Sequence, residues 1–318
     1  MTWAAGGLVQ ASDLNTMLGG NPTTTANTLN ATWATGGSQA GYGQTAVANV
    51  SSGSIISATP WNGLFYNTSN AASHQGTTIS SIANVSSSNV VTFYSAAQTN
   101  LNSIYASRGN AASQGSTAAN AITTVSTWTA TATWTHTVTF ANGDAARYFF
   151  NSGGQIKMSA SHSNGTAGVN AALQTLCTAT GTVVISGQNS GSRTIAGTTY
   201  NGVTKIGGSG STETLSTNSG YFGLSGSGNT TIFDQNSGTS PYTTLMDLQY
   251  IARTNGSNLA GNGDNGAVVT VYTLMRETGA NGTVGTGTTV TCTLTPPSTS
   301  FIANTWGAVT LAGSVVVS

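Results

Sequence analysis

The chain of 318 residues has very few charged side chains. Lys and Arg together number seven, and Asp and Glu number seven, which is 4% of the residues and gives a net charge of zero. Ordinary globular domains contain about 25% charged residues. With so few cations the chain lacks a basic patch for phosphates, which argues against nucleic-acid binding. A neutral surface does not repel its own copies, so self-association is favoured.

The shortage of charge is greatest near the N-terminus. Asp13 is the only charged residue before Arg108, so residues 14–107 form 94 consecutive uncharged positions. Disordered segments usually have few aromatic residues and a high net charge. This stretch instead contains eight aromatic residues, which are Trp33, Tyr42, Trp61, Phe65, Tyr66, Phe93, Tyr94 and Tyr105. We therefore expect an ordered region whose packing depends on an oligomer.

Targeting signals and long apolar runs are also missing. No apolar run approaches the roughly 20 residues that a membrane-spanning helix needs. The first residues, Met1-Thr2-Trp3-Ala4-Ala5, lack the basic start and the apolar stretch of a signal peptide. These absences predict a protein without a membrane span that is made in the cytoplasm and leaves it, if at all, by lysis or a non-Sec route.

Residues 1–125 are predicted to form a module of short helices and turns with an internal repeat. One copy opens with Val50-Ser51-Ser52-Gly53 and the other with Val85-Ser86-Ser87-Ser88. Each copy has apolar residues at the i, i+3, i+4 spacing of one helix face, either a core face or a subunit contact: Trp61, Leu64 and Phe65 in the first, Leu101, Ile104 and Tyr105 in the second. Thr59 and Pro60 indicate a helix start, and Ser12 or Asp13 caps a short helix through Leu18.

Residues 126–318 are predicted to be all-β, with a division near 200–215 as an alternative. Residues 127–140 alternate almost perfectly, with Trp128, Trp134, His136, Val138 and Phe140 on one face and Thr on the other. A turn at 141–144 and strands at 145–150 and 155–160 around a hairpin follow. Further strands are predicted at 182–186, 230–233, 245–252, 267–275, 288–295 and 308–317. Many short strands indicate an antiparallel β-sandwich or barrel.

Motifs for catalysis, cofactors and metals are weak throughout. His74, His136 and His162 lack metal-ligand spacing, so we interpret His136 as a packed side chain and His74 as a helix C-terminal contact. Asp144 and Asp264 are typical of Asx turns, although residues 261–266 are a weak calcium candidate. Residues 207–211 resemble a phosphate loop without its lysine.

Three further interpretations concern the other carboxylates, two aromatic residues and the cysteines. Asp13, Asp234, Asp247, Glu213 and Glu277 show no paired pattern for glycoside hydrolysis. Tyr221 and Trp306 are conceivable sugar contacts, although packing between strands is favoured. Cys177 and Cys292 are far apart and outside any CxxC motif, so two buried free thiols are favoured over one disulfide. The sequence thus predicts no catalytic, cofactor or metal site.

Several segments, in order along the chain, resemble virion structural proteins of tailed phages, especially phages of aquatic bacteria. They are Gly41-Tyr42-Gly43-Gln44, Ile56-Ser57-Ala58 with Trp61-Asn62 and Leu64, His74-Gln75-Gly76, residues 146–156, residues 262–266, Pro297-Ser298-Thr299 and Thr305-Trp306-Gly307. The resemblance implies a tail-fibre-like assembly role and no catalytic residues.

The leading hypothesis is a non-enzymatic subunit of a phage tail fibre, neck or tail appendage. It would form a homo-oligomer, with a trimer as one candidate, bind other virion proteins and contact a host-surface glycan. The rival hypotheses are a bacterial extracellular filament or adhesin subunit and a polysaccharide-degrading tailspike.

Overall fold

The fold was analysed in a computed structural model and is mainly β. The described residues are 10–19, 27–37, 39–54, 56–86, 92–124, 126–188, 191–210, 213–216, 219–256, 266–279 and 282–317. Six helices precede or interrupt antiparallel sheets, and most of the helices lie in the N-terminal part. The predicted fold class is therefore confirmed.

Four helices lie in the N-terminal region and two lie between strands farther along the chain. Their bounds are α1 Ala11–Leu18, α2 Leu29–Trp33, α3 Ala58–Gln75, α4 Tyr94–Ala106, α5 Gly143–Asn151 and α6 Gly168–Thr180. The prediction of a short helix through Leu18 is confirmed for α1, but the predicted cap at Ser12 or Asp13 is wrong. The N-cap residue is Gln10, and Asp13 closes the first turn by accepting from Gln10 N in a capping box. Helix α3 begins earlier than predicted, because Ser57 is the N-cap residue. Pro60 fits in this first turn, where backbone N–H groups have no partner within the helix.

Thirteen strands form two large sheets and one small one in the described part of the chain. The bounds are β1 Ala118–Thr124, β2 Thr131–Thr139, β3 Gln155–His162, β4 Thr182–Ile185, β5 Arg193–Ile195, β6 Thr198–Tyr200, β7 Val203–Ile206, β8 Glu213–Leu215, β9 Thr230–Asn236, β10 Met246–Thr254, β11 Val268–Glu277, β12 Thr288–Thr295 and β13 Thr310–Val317. One sheet has the order β1-β12-β3-β4-β7, the other has β13-β2-β11-β10-β9-β8, and β5 pairs with β6. Neither large sheet closes on itself within the described residues, which favours a sandwich over a barrel.

The alternation predicted for residues 127–140 is confirmed in β2. Ala132, Trp134, His136 and Val138 are buried, while the threonines between them are partly exposed. Tyr250 of β10, Cys292 of β12 and Cys177 of α6 belong to one cluster of buried residues. Burial of one face of each sheet thus supplies the core of the β-rich part.

Two segments predicted to belong to an all-β region are helical. The strand predicted at 145–150 is wrong, because Asn142 caps a helix by accepting a hydrogen bond from Ala145 N at 2.8 Å. The predicted turn at 141–144 is thus the start of α5, and the predicted hairpin is the connection from α5 to β3. Helix α6 contacts β3 of one sheet and β10 of the other. Its buried residues recur at helical spacing and are Val169, Ala172, Leu173, Leu176, Cys177 and Thr180.

Four asparagines bind extended backbone segments through both ends of their side-chain amides. Asn15 of α1 donates to Val50 O at 2.8 Å and accepts from Val50 N at 2.9 Å. Asn62 of α3 makes the same pair with Val85. The other two pairs are Asn30 with Val47 and Asn100 with Ser80. We call these four pairs the asparagine clamps. Val50 and Val85 open the two copies of the sequence repeat, so the repeat encodes a repeated clamp.

A single cluster of buried apolar side chains continues from the helices into the sheets. It includes Leu14 and Trp61 in the helical region and Phe149 and Trp306 in the β-rich region. Strand β1, which begins before residue 125, pairs with β12. The division of the chain at residue 125 stays a prediction.

Candidate functional site

The two open edges on one side of the sandwich carry no charge. Strand β13 is the edge of the six-stranded sheet and β1 is the edge of the five-stranded sheet. The two strands contact each other, and a Cβ placed on Gly313 of β13 would lie 2.7 Å from Ile122 Cδ1 of β1. They have eight and seven residues, with no charged residue and no proline. We call β1 and β13 together the uncharged side.

The opposite edges differ in length and in charge. Strands β7 and β8 have four and three residues. Lys205 of β7 forms an ion pair with Glu213 of β8. Proteins commonly protect an edge by keeping it short and by placing lysine on it, because unpaired backbone groups invite pairing with another chain. Edge protection is therefore present on the β7–β8 side, and the described residues provide none on the uncharged side.

Strand β13 is also the most exposed of the long strands. Six of its eight residues are exposed, and Leu311 and Val315 are partly buried. The side chains of Val316 and Val317 are 70% and 36% exposed. A long, apolar, uncharged edge with this exposure is a template for strand addition. The uncharged side is the candidate functional site of this molecule.

The apolar helix faces predicted from the repeat pack inside the chain. Trp61, Leu64 and Phe65 are buried, as are Leu101 and Ile104. The rings of Trp61 and Phe65 make edge contacts with Phe93, at centroid distances of 5.1 and 4.8 Å. Of the two interpretations left open for these faces, the core face is therefore confirmed for these five residues, whereas Tyr105 of the second face is half-buried and lies against Arg108.

The three histidines are buried and separate from one another. His136 lies on the inner face of β2, and neither of its ring nitrogens has a hydrogen-bond partner in the described part of the chain. His74 Nε2 lies 3.1 Å from Ser152 O, and the His74 ring meets the Tyr42 ring edge-on. The side chain of His74 therefore contacts residues outside its own helix α3. Burial lowers the pKa of His74 and of His136 to about 4. Both are neutral packed residues at pH 7.

Because these histidines are buried in the neutral form, we expect the protein to lose stability in mild acid. A folded-state pKa near 4 lies below the unfolded value of about 6.5, so the unfolded chain takes up protons first. The contribution of each neutral histidine to the free energy of unfolding is complete above pH 6.5. It falls as the pH decreases towards 4, by about 2 kcal/mol per histidine at pH 5. Urea unfolding at pH 7.5 and 5 measures this difference. His136→Leu should reduce it by that amount, and an unchanged pH dependence would contradict the assignment.

The described carboxylates are engaged locally. Asp144 is paired with Arg147 in the first turn of α5, and Asp247 is paired with Arg276. The remaining partners are Gln10 N for Asp13, Lys205 for Glu213, Gln249 for Asp234 and Gly279 N for Glu277. The calcium candidate at 261–265, with Asp264, lies outside the described residues. No group of three or more His, Cys, Asp or Glu with metal-site geometry occurs in the described part.

The aromatic sugar-contact candidates and the cysteines lie in the interior. Tyr221 stacks on Phe150 at 4.3 Å, and Trp306 is 3% exposed, so packing is confirmed for both. Cys177 and Cys292 are buried free thiols, as expected, and burial raises the pKa of each to about 12. Residues 207–210, from the weak phosphate-loop candidate, connect β7 to β8.

The helices in the described part of the chain include none that combines the length and apolar character needed to cross a membrane. Comparisons with models of protein families, with curated proteins and with solved structures find no match for this chain.

Proposed function

We propose that the protein is a non-enzymatic structural subunit of a phage particle, in a tail fibre, neck or tail appendage, and that it assembles with copies of itself. The observation that carries the assembly role is the uncharged side, where two long edge strands are exposed without the protection present on β7 and β8. The assignment to a phage particle is supported by the resemblance of the sequence segments described above.

The proposed contact is antiparallel pairing of β13 with β13 of a second copy. Each β13 is an edge strand with the same outward row of backbone donors and acceptors, so a two-fold arrangement pairs the two rows with each other. Neither strand brings a charge, and the net charge of the chain is zero, so the approach meets no repulsion. The six-stranded sheets of the two copies would then continue into each other, with Val316 covered at the junction.

A lysine on β13 should prevent this assembly. Val316→Lys adds one charge per copy to a contact that has none and introduces, on the exposed edge strand, the residue that natural edge strands use against pairing. We expect an oligomer for the unmodified chain, and at least a tenfold weaker association for the variant, equivalent to about 1.4 kcal/mol. Mass photometry and sedimentation velocity over a concentration series measure both.

Ile206→Lys is the matched control, because Ile206 is an exposed apolar residue on the opposite edge strand β7. This variant should keep the oligomeric state of the unmodified chain. An equal loss in both variants would show that added charge, rather than position, weakens association. A stable monomer of the unmodified chain at tens of micromolar would contradict the structural role itself.

The place in a phage particle needs a separate test. Antibodies against the chain should label a defined tail or neck structure on purified particles, and mass spectrometry of those particles should detect the protein in several copies. Detection only on filaments at the bacterial surface would instead support the filament or adhesin hypothesis.

A further inference from the structure

A polar pocket lies between the helical region and the small sheet. Its volume is about 330 Å³, and its lining includes Gln39, Arg108, Asn110, Gln188 and Arg193. Arg108 follows the end of α4, and Arg193 is the first residue of β5. The pocket therefore brings together two of the seven cationic residues of the chain from distant parts of the sequence.

Arg193 is buried in the pocket wall and is incompletely bonded. It is 5% exposed. Its Nη2 donates to Gln39 Oε1 at 3.1 Å, and its Nε donates to Gln188 Oε1. Its guanidinium lies against Gly109, where a Cβ would come within 2.3 Å of Arg193 Cζ. Arg193 Nη1 has no hydrogen-bond partner in the described part of the chain, which is unusual for a buried donor.

Arg108 is positioned beside the same glutamine. Its Nε donates to Gln39 O at 3.2 Å, its Nη1 donates to Tyr105 O at 2.8 Å, and its guanidinium lies over the Tyr105 ring. Within the described residues, neither Arg108 nor Arg193 is paired with a carboxylate. Burial, followed by the charge of Arg108, lowers the pKa of Arg193 to about 10, so Arg193 is still charged at neutral pH.

Two neighbouring guanidinium groups without a carboxylate favour an anionic ligand. Arginine presents a planar fork of donors that matches the oxygens of phosphate and carboxylate groups. A phosphate group carries a charge of about −1.5 to −2 at pH 7, which balances the two arginines, whereas a carboxylate balances only one. The charge of the pocket therefore favours a doubly charged oxyanion.

We propose that the pocket of Arg108 and Arg193 binds a phosphate group, either inorganic phosphate or a small phosphomonoester. Arg108, which is half-buried, supplies the solvent-accessible charge, and the buried Arg193 supplies the second charge in the pocket wall. The ligand would join the end of α4 to β5, which are already linked by Asn110 Oδ1 accepting from Thr194 N at 2.9 Å. This site is independent of the assembly contact at β13.

Isothermal titration calorimetry of the full chain with inorganic phosphate at constant ionic strength tests the proposal. We expect one site with a Kd below about 1 mM, at least tenfold weaker in Arg108→Gln. Arg108 is only half-buried, so this variant should fold, and circular dichroism checks that it does. Arg193→Gln is the second variant, and Arg253→Gln, which alters an exposed arginine on β10 outside the pocket, is the matched control that should retain the affinity.

Competing anions separate the possible outcomes. Glycerol phosphate should compete if the pocket admits a phosphomonoester, and failure to compete would restrict the site to the free ion. Acetate that binds as tightly as phosphate would overturn the assignment to a doubly charged ligand. The site itself would be refuted by no detectable phosphate binding at 10 mM, or by equal affinity in Arg108→Gln and the unmodified chain.

Discussion

Replacing Arg147 with alanine is expected to lower the free energy of unfolding by about 3–5 kcal/mol, because two backbone carbonyls lose their charged donor and a large buried side chain is removed. Arg147 is fully buried on α5 and donates to Thr35 O at 2.7 Å and to Ala40 O at 3.0 Å. Its guanidinium also bonds Asp144 at 3.2 Å. Alanine would lose these bonds and leave a cavity under the loop that it holds. Chemical unfolding at pH 7.5 measures the effect.

Two further variants separate the geometry of Arg147 from its charge. Arg147→Lys keeps the charge but not the planar fork, so it should lose most of the same stability. Arg253→Ala removes an exposed arginine that lies over the Tyr272 ring, and it should change stability by less than about 1 kcal/mol. An Arg147→Ala protein as stable as the Arg253→Ala protein would contradict the role assigned to the buried side chain.

Gly41→Ala is expected to be nearly as damaging, with a loss of about 4 kcal/mol in the free energy of unfolding. Gly41 has φ +92°, and an added Cβ would lie 2.3 Å from Thr35 O, which is backbone. Its carbonyl accepts a hydrogen bond from Asn151 Nδ2 of α5 at 3.2 Å, so the loop cannot shift without losing contacts to that helix. Differential scanning calorimetry should show the change as a lower Tm.

Gly53→Ala is the matched control for this substitution. Gly53 also has a positive φ, +81°, but a Cβ there would meet no described atom within 4 Å. Gly53→Ala should therefore lower the free energy of unfolding by only about 1–2 kcal/mol, because alanine disfavours a positive φ. Equal losses in the two variants would mean that the contact with Thr35 is unimportant.

The β-rich part was the most predictable from sequence, because one face of each strand is buried and the pattern repeats every two residues. Strand β12 occupies the predicted residues 288–295, and β10 and β11 lie within two residues of their predicted bounds. The side-chain pattern of β2 predicted which face would contain Trp134 and His136. Local pattern and tertiary burial agree in these strands.

Helix α5 was missed because aromatic residues at 148–150 favour strands by propensity, whereas the cap at Asn142 and the contacts of Arg147 favour a helix. Tertiary contacts decided that segment. The pocket of Arg108 and Arg193 was beyond prediction for a related reason, since nothing in the local sequence relates the end of α4 to β5. The uncharged side could not be predicted either, because the sequence of a single strand does not show whether that strand lies at the edge of a sheet.

The sequence contains a pattern from which two of the asparagine clamps could have been predicted. Asn15 and Asn62 are each the fifth residue of their helices, after Ala11-Ser12 and Ala58-Thr59 respectively. Aligning the first turns of the repeat units, rather than only their apolar faces, would have placed the two asparagines at one position. Their valine partners could not be inferred, because the connecting segments differ in length.

The asparagine clamps also determine how the molecule responds to salt. Dissolved ions weaken attraction between charges, and a neutral amide bonded to a neutral backbone offers them little to screen. Over residues 14–107 the clamps perform the cross-linking that ion pairs provide in other proteins, in a stretch with no formal charge. The ion pairs that salt can screen, such as Asp144–Arg147 and Asp247–Arg276, lie outside this stretch. The helical region should keep the same stability in dilute buffer and in concentrated sodium chloride.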